Sequence, residues 1–161
     1  RAGHSAIVSP VDDRGRAMVV FGGYNKSHQL CNTVHLMLLE AEDGPSWVQG
    51  GEAVATTGTP PSARRLHESL ALPDNRAMLI FGGQNDEEVL VDVAVLDLVS
   101  WSWTTPAVVG APPSAIRTQF IAPNFHGFSG GEWLMLCGPQ GELHVFDVAA
   151  CCFFRVDRSD T

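Results

Sequence analysis

The seven residues AMVVFGG at 17–23 return as AMLIFGG at 77–83, sixty positions further along the chain. In both copies every residue before the glycine pair is apolar, so neither copy shows the polar alternation of a strand with one wet face. A strand that is apolar throughout needs cover on both of its faces. The stretch therefore predicts a buried β-strand that the fold uses more than once.

The sequence similarity extends beyond this strand into three consecutive repeats, which we place at 1–50, 63–106 and 115–157. Four short segments correspond in each repeat, and most are rich in apolar residues and bounded by Gly, Pro, Asn or Asp, as strands are. No segment has a sustained helical period. The corresponding segments are RAGHSAIV (1–8), AMVVFGG, NTVHLMLL (32–39) and Trp47; RRLHESLAL (64–72), AMLIFGG, VDVAVLDL (91–98) and Trp103; and IRTQFIA (116–122), WLMLCGP (133–139), GELHVFDV (141–148) and Phe153.

A sheet that is apolar on both faces is fully covered when it packs between two copies of itself. Radial stacking of four-stranded sheets is the architecture of a β-propeller. We therefore expect an all-β fold in which three four-stranded antiparallel blades form a β-propeller segment, part of a larger, six-bladed propeller.

Three blades cannot close a ring, so one face of the first blade and one face of the third blade would lack cover. With about six apolar side chains on each face, the loss is about 9–18 kcal/mol per face. That loss is comparable to the net stability of a whole domain. We expect the cover to come from further blades of the same longer chain or from another subunit, and because Arg1 lies inside a strand motif we favour the longer chain.

Composition excludes several classes of function. The formal net charge is −8 and no run of Lys or Arg occurs, which disfavours nucleic acid or an anionic membrane as the partner. The apolar stretches are too short to span a membrane. The four cysteines form no Cys-x-x-Cys pair, which favours a reduced, intracellular chain without a zinc site. We expect a cytoplasmic protein, with association to the cytoskeleton as one option.

The motifs resemble the Kelch repeat, in which Arg-x-Gly-His-Ser is followed by an apolar run ending in Gly-Gly, an apolar segment with Asp, and Trp. The first repeat has RAGHSA and FGG, the second has FGG, VLDL and Trp103, and the third has VFDV. The resemblance implies a Kelch-type β-propeller. It also implies structural roles for the repeat positions His4, Gly22, Gly23, Trp47, His67, Gly82, Gly83, Asp97, Trp103, Gly138 and Asp147.

The repeats also depart from the Kelch pattern. Met37 replaces the Asp of the third strand in the first repeat, and Leu66 replaces the Gly before His67 in the second. The third repeat has Gln119 and Phe153 in place of His and Trp, which makes it the least regular of the three.

Catalytic patterns of related folds do not match this sequence. Galactose-oxidase-like enzymes use copper with tyrosine and histidine ligands, but Tyr24 is the only tyrosine and no matching set surrounds it. Kelch-type specifier proteins resemble iron-binding modules with Glu-x-x-x-Asp-x-x-x-His, whereas Glu88 and Asp92 are followed by Leu96. The glycine-rich GGYNKS and GGQNDE lack the spacing of a phosphate loop. We expect no catalytic residues, no metal and no cofactor.

The loops are the expected binding surface, because binding residues concentrate in loops on a rigid scaffold. Loops between the second and third strands share one rim with the links between blades, and we expect them to contact a protein partner. The opposite rim carries two aromatic residues in the segment 123–132, Phe125 and Phe128, which suit interface anchors or could pack against a neighbouring blade. The expected partner-binding residues of the first rim are Tyr24, Asn25, Lys26, His28, Gln84, Asn85, Asp86, Glu87 and Glu88.

Two functions remain open at this level. The first is a non-catalytic protein–protein interaction scaffold or adaptor, with partners such as cytoskeletal proteins, ubiquitin-ligase substrates or subunits of a larger assembly. The second is a part of a propeller enzyme whose catalytic residues lie on blades outside this chain. A partner chain on the rim would favour the scaffold, whereas a bound metal or Tyr, His or Glu groups in the central channel would favour the enzyme.

Overall fold

Three antiparallel sheets follow one another along the chain. The computed structural model describes residues 1–12, 15–72, 76–112, 125–126, 132–137 and 142–156. Within these residues there are twelve strands and one helical element, a 3₁₀ turn at Val48–Gly51. The predicted all-β fold with three four-stranded sheets is confirmed.

Each sheet is a simple meander in which every strand pairs with its neighbour in the sequence. Sheet 1 contains β1 (Ser5–Asp12), β2 (Gly15–Phe21), β3 (Val34–Leu38) and β4 (Ser46–Trp47). Sheet 2 contains β5 (Glu68–Ala71), β6 (Ala77–Gln84), β7 (Val89–Asp97) and β8 (Ser102–Thr104). Sheet 3 contains β9 (Phe125–His126), β10 (Glu132–Cys137), β11 (Leu143–Asp147) and β12 (Cys152–Val156).

Strand register corrects one expectation about the repeats. Asp97 lies opposite Ala77, and the equivalent residue of sheet 1, Ala17, lies opposite Leu38. Leu38 therefore occupies the Asp position, and the assignment of that position to Met37 is wrong by one residue. Because successive strand residues point to opposite faces, the error also exchanges the two faces of β3 at this point.

The apolar run of β6 is covered on both faces, as its composition predicts. Met78, Leu79, Ile80 and Phe81 are each no more than 2% exposed. Met78 and Ile80 belong to the apolar cluster shared with sheet 1, which we call the first seam. Leu79 and Phe81 belong to the cluster shared with Phe146 of sheet 3, which we call the second seam. Alternate residues of one strand thus stabilise two different sheet–sheet contacts.

Aromatic side chains repeat the same contact at both seams. The ring centroids of Phe21 and Trp103 are 5.1 Å apart, and those of Phe81 and Phe153 are 5.5 Å apart. Trp47 is the equivalent residue of sheet 1, because it lies opposite Met37 as Trp103 lies opposite Leu96 in sheet 2. Trp47 is 42% exposed, since none of the described strands covers this face of sheet 1.

The segments that follow β4 and β8, which we call links because they lead to the next sheet, also protect the outer strands. Thr57 forms a parallel bridge with Ser102 beside β8, and Val109 forms one with Cys152 beside β12. Unpaired edge strands promote association between chains. The repeated links therefore reduce the exposed strand edge.

The glycine pair at the end of β2 allows the next link to pass close by. Gly22 has a φ of +65°, and a Cβ on it would lie 2.9 Å from the Arg64 carbonyl and 2.6 Å from the His67 ring. Gly23 has a φ of +79°, and its Cβ would lie 2.6 Å from the Ala2 carbonyl. The glycine pair therefore leaves room for the backbone of the link and of Ala2.

Candidate protein-binding rim

One end of the first two sheets brings the loops after β2 and β6 against the link that enters β5. The Gly23 amide donates to the Arg64 carbonyl at 2.7 Å, and the Arg64 amide donates to the Cys31 carbonyl at 3.2 Å. Arg65 and Gln84 exchange backbone hydrogen bonds of 3.0 and 2.9 Å. These bonds hold two loops and a link together, and we call this end the loop rim.

Arg64 is the polar centre of this junction. Its side chain is 1% exposed, and its guanidinium donates to both carboxylate oxygens of Asp92, at 2.6 and 2.8 Å. It also donates to the Gly82 carbonyl at 2.9 Å. Because a buried guanidinium needs a paired charge, Asp92 stabilises the path of the link over sheet 2.

Neither Arg64 nor Asp92 is among the site residues predicted from the sequence. A signal was present, since the spacing Arg-x-x-His occurs twice, at Arg1 with His4 and at Arg64 with His67. Arg1 donates to the carbonyl of Gly22 at 3.1 Å, as Arg64 does to that of Gly82.

Arg65 connects the two loops through its side chain. Its guanidinium lies 4.9 Å from the centre of the Tyr24 ring, within range of a cation–π contact. With the Gln84 amide oriented so that its oxygen faces Arg65, the oxygen accepts from Nη2 at 2.8 Å and from Nε at 2.9 Å. Arg65 therefore fixes Tyr24 of the first loop relative to the second loop.

The two loops converge on an open cleft of about 460 Å³, which we call the rim cleft. Four predicted partner-binding residues line it together, three from the first loop and one from the second. Arg1 and Ala2 also line it. The four predicted residues are Tyr24, Asn25, His28 and Asp86.

An asparagine organises each loop in the same way. Asn25 Oδ1 accepts from the amides of Ser27 and Gln29, at 2.8 and 3.0 Å. Asn85 Oδ1 accepts from the amides of Glu87 and Glu88, at 2.9 and 2.7 Å, as in an Asx turn. The oxygens of both asparagines are thus engaged inside their own loops.

The remaining predicted rim residues are charged and point into solvent. Lys26, Glu87 and Glu88 are exposed, and none of them lines the rim cleft. The nine residues predicted for this rim thus have three different positions. Four line the rim cleft, two hold the second loop in place (Gln84 and Asn85), and the three exposed charged residues surround the cleft.

A second depression lies between β1 and β5, the strands through which the first two sheets contact each other most closely. Sheets that are arranged radially approach each other at their inner strands, which here are β1 and β5. We therefore call this cavity of about 330 Å³ the inner groove. Among its lining residues are His4, Ser5, Leu66, His67 and Ser69.

His67 is 3% exposed and packs edge-on against Phe21, with ring centroids 5.2 Å apart. Burial, reinforced by the positive charge of Arg64, lowers the pKa of His67 to about 4, although the Phe21 carbonyl partly opposes the shift. Neither ring nitrogen has a hydrogen bond of good geometry to any described residue. His67 is therefore a neutral, packed residue of the first seam, in line with the structural role that the Kelch resemblance implies.

The opposite rim contains the turns after the third strands. Asp97 Oδ1 accepts from the amides of Val99 and Ser100, at 2.8 and 2.7 Å, and these bonds lower the pKa of Asp97. Asp147 Oδ1 accepts from the Ala150 amide at 2.9 Å in the same turn of sheet 3. The aspartates of the repeat thus stabilise these turns.

Three predicted positions fall wholly or partly beyond what the structure describes. The backbone of Phe125 lies in β9, opposite Trp133, while its side chain lies outside the described part. Phe128 and Gly138 lie outside the described residues. Their roles stay predictions.

The described part of the chain holds no three His, Cys, Asp or Glu side chains close enough together to share a metal ion. It also has no helix that is long and apolar enough to cross a membrane.

Comparison with known proteins matches residues 1–160 to the KLHDC2/KLHL20/DRC7 Kelch-repeats domain. The Rab9 effector protein with kelch motifs of Danio rerio is 34% identical over 124 residues, which are 73% of this chain and 34% of that protein. Acyl-CoA-binding domain-containing protein 4 of Arabidopsis thaliana is 33% identical over 100 residues, 62% of this chain and 14% of that protein. Dynein regulatory complex subunit 7 of Chlamydomonas reinhardtii is 30% identical over 115 residues, 70% of this chain and 9% of that protein.

The chain thus spans about a third of the zebrafish relative and smaller parts of the other two. The family match covers nearly the whole chain, and the three meander sheets, two of which have a Phe-Gly-Gly sequence at the end of the second strand, fit a Kelch propeller. This chain belongs to the Kelch-repeat family.

Proposed function

We propose that this chain is a non-catalytic protein–protein interaction scaffold that contacts its partner through the loop rim. Kelch-repeat domains are in general protein-interaction modules, and the names of the Rab9 effector and dynein regulatory complex relatives support a role in a larger assembly. The partner would lie over the rim cleft and the charged edge around it.

One observation carries this proposal: side chains from two different sheets meet in a single cleft on a rigid frame. Tyr24 and His28 come from the loop after β2, and Asp86 comes from the loop after β6. Arg65 connects both loops from the link. A preorganised surface of this kind loses little conformational freedom on binding, which favours affinity.

The three repeats at 1–50, 63–106 and 115–157 would act as blades of one propeller. The uncovered face of sheet 1, with the exposed Trp47, supports a further sheet from the same longer chain or from another subunit. An intracellular, cytoskeleton-associated location is part of the proposal and is supported by the dynein-related name of one relative.

The experiment first identifies the partner by direct contact. A photo-crosslinking amino acid replaces His28 in the full-length protein in cells, and the crosslinked protein is identified and purified. We expect Tyr24→Ala to raise the Kd for that purified partner by about tenfold, because an aromatic contact at the centre of an interface commonly contributes this much.

Two controls separate the loop rim from the rest of the surface. Glu42→Ala changes an exposed residue of the loop between β3 and β4, on the opposite rim, and should leave the Kd unchanged. A crosslinker at Val99, in the turn after β7, should not capture the same protein. Crosslinks from Val99 instead of His28, or an unchanged Kd for Tyr24→Ala, would contradict the proposal.

A further inference from the structure

Leu66 adopts a backbone conformation that suits glycine. Its φ is +54°, and the equivalent residue of the first repeat, Gly3, has a φ of +66°. The two residues are adjacent, since the Leu66 amide donates to the Gly3 carbonyl at 2.9 Å. A side chain with a Cβ is disfavoured in this region, so leucine carries a cost to folding here that glycine would not.

Packing does not compensate for this cost. The Leu66 side chain is 61% exposed, so most of its apolar surface stays in water. A leucine stabilises a fold in proportion to the apolar area that it buries. Strain at an exposed residue is commonly found where the residue serves a function.

The inner groove beside Leu66 contains two buried hydroxyl groups. Ser5 lies opposite Phe21 in sheet 1, and Ser69 lies opposite Ile80 in sheet 2. Phe21 and Ile80 both belong to the first seam, so both serines point into the inner edge of that seam. Their Oγ atoms are buried and have no hydrogen-bond partner among the described residues.

The groove lining carries little charge at neutral pH. Partial burial and the positive charges of the N-terminal amine and Arg1 lower the pKa of His4, and burial lowers that of His67 further. Among the described residues of the lining, Glu68 is the one carboxylate, and it already takes part in another interaction. A charged group would therefore gain little in this groove, because burying a charge is costly unless that charge is paired.

We propose that Leu66 and the inner groove form a subsite for an uncharged, apolar side chain of the protein partner. The buried hydroxyls of Ser5 and Ser69 lie beneath this subsite and add no charge to it. The subsite rests on the proposed function, because Arg65, the residue before Leu66, connects it to the rim cleft at Tyr24.

The test uses the full-length protein and a phage-displayed library of random linear peptides as the probe. Selected peptides are synthesised, and their Kd is measured by fluorescence anisotropy. We expect a shared Leu, Ile, Val, Met or Phe position. Leu66→Gly should raise the Kd about tenfold, while the melting temperature stays the same or rises because the strain is relieved.

Two variants keep the test independent of any effect on folding. Leu66→Asn retains a side chain that tolerates a positive φ but removes the apolar surface, so it should weaken binding as Leu66→Gly does. Val99→Ser removes an apolar side chain that is 59% exposed on the opposite rim, and it should leave the Kd unchanged. Replacing the shared apolar peptide residue by Ala should weaken binding to the wild type but not to Leu66→Gly.

The outcomes distinguish this subsite from the proposed function. An unchanged Kd for Leu66→Gly, combined with weaker binding by Tyr24→Ala, would overturn the subsite and leave the loop rim as the binding surface. Unchanged binding by both variants would reject the proposed function as well. A lower melting temperature for Leu66→Gly, or selected peptides with a charged residue at the shared position, would also overturn the subsite.

Discussion

Among single residues, His67 makes the stability of the first seam depend on pH. Its pKa is about 4 in the fold, below the ordinary value of 6.5, because burial disfavours the charged ring. Between these two values the unfolded chain binds more protons, so stability falls as the pH falls from 6.5 towards 4. The full loss is about 3 kcal/mol at 1.36 kcal/mol per pKa unit.

The measurement is the urea midpoint of unfolding as a function of pH, for the wild type and for His67→Gln. Glutamine is a suitable replacement, since Gln119 takes this position in the third repeat. We expect His67→Gln to be less pH-dependent than the wild type between pH 6.5 and 4. His28→Gln, which changes an exposed histidine, should keep the wild-type dependence. Identical curves for the wild type and His67→Gln would show that the ring is not held neutral by burial.

At the scale of elements, the glycine at the end of β2 determines how closely the next link can approach. Gly22→Ala adds a Cβ against the Arg64 carbonyl and the His67 ring, in addition to the strain of a positive φ. We expect a loss of about 2–4 kcal/mol in the free energy of unfolding, by overpacking together with backbone strain.

Gly50→Ala is the matched control for this prediction. Gly50 has a φ of +66°, close to the +65° of Gly22, but apart from its two chain neighbours no described residue has an atom within 4 Å of its Cβ position. It should therefore show only the strain, about 1 kcal/mol. Equal losses for the two variants in urea unfolding would mean that the contact with the link contributes nothing.

For the molecule as a whole, the uncovered face of sheet 1 is the place where a further sheet of a larger ring would pack. Trp103 is 4% exposed in the first seam, whereas the equivalent Trp47 is 42% exposed. In the full-length protein we expect Trp47→Ala to destabilise as much as Trp103→Ala, by about 3–5 kcal/mol, because a further sheet would cover it. The comparison needs chemical unfolding of the two full-length variants. A loss below about 1 kcal/mol for Trp47→Ala would indicate that this face stays free.

The sequence was sufficient to predict the strands and sheets of this chain. The unbroken apolar runs of β2 and β6 show that both faces of each strand are covered, and that requirement is local. Register was harder to predict, as the assignment at Met37 shows, since two adjacent apolar residues of β3 give no sign of which face each one occupies.

The candidate site was predictable only in part. Loop positions after β2 and β6 identified Tyr24, His28 and Asp86, but nothing in the sequence indicated that they share one cleft. Arg64 and Asp92 were missed because an ion pair between a link and a strand depends on contacts between residues far apart in the chain.

The four-stranded units could be predicted from the amino-acid pattern, because strand periodicity is a property of short segments, and the motifs added the resemblance to the Kelch repeat. The packing of the sheets was needed to show which loop residues meet at the rim cleft and that Leu66 is exposed in a glycine-type conformation. Those features depend on how neighbouring sheets pack, and packing brings together residues that the sequence keeps apart.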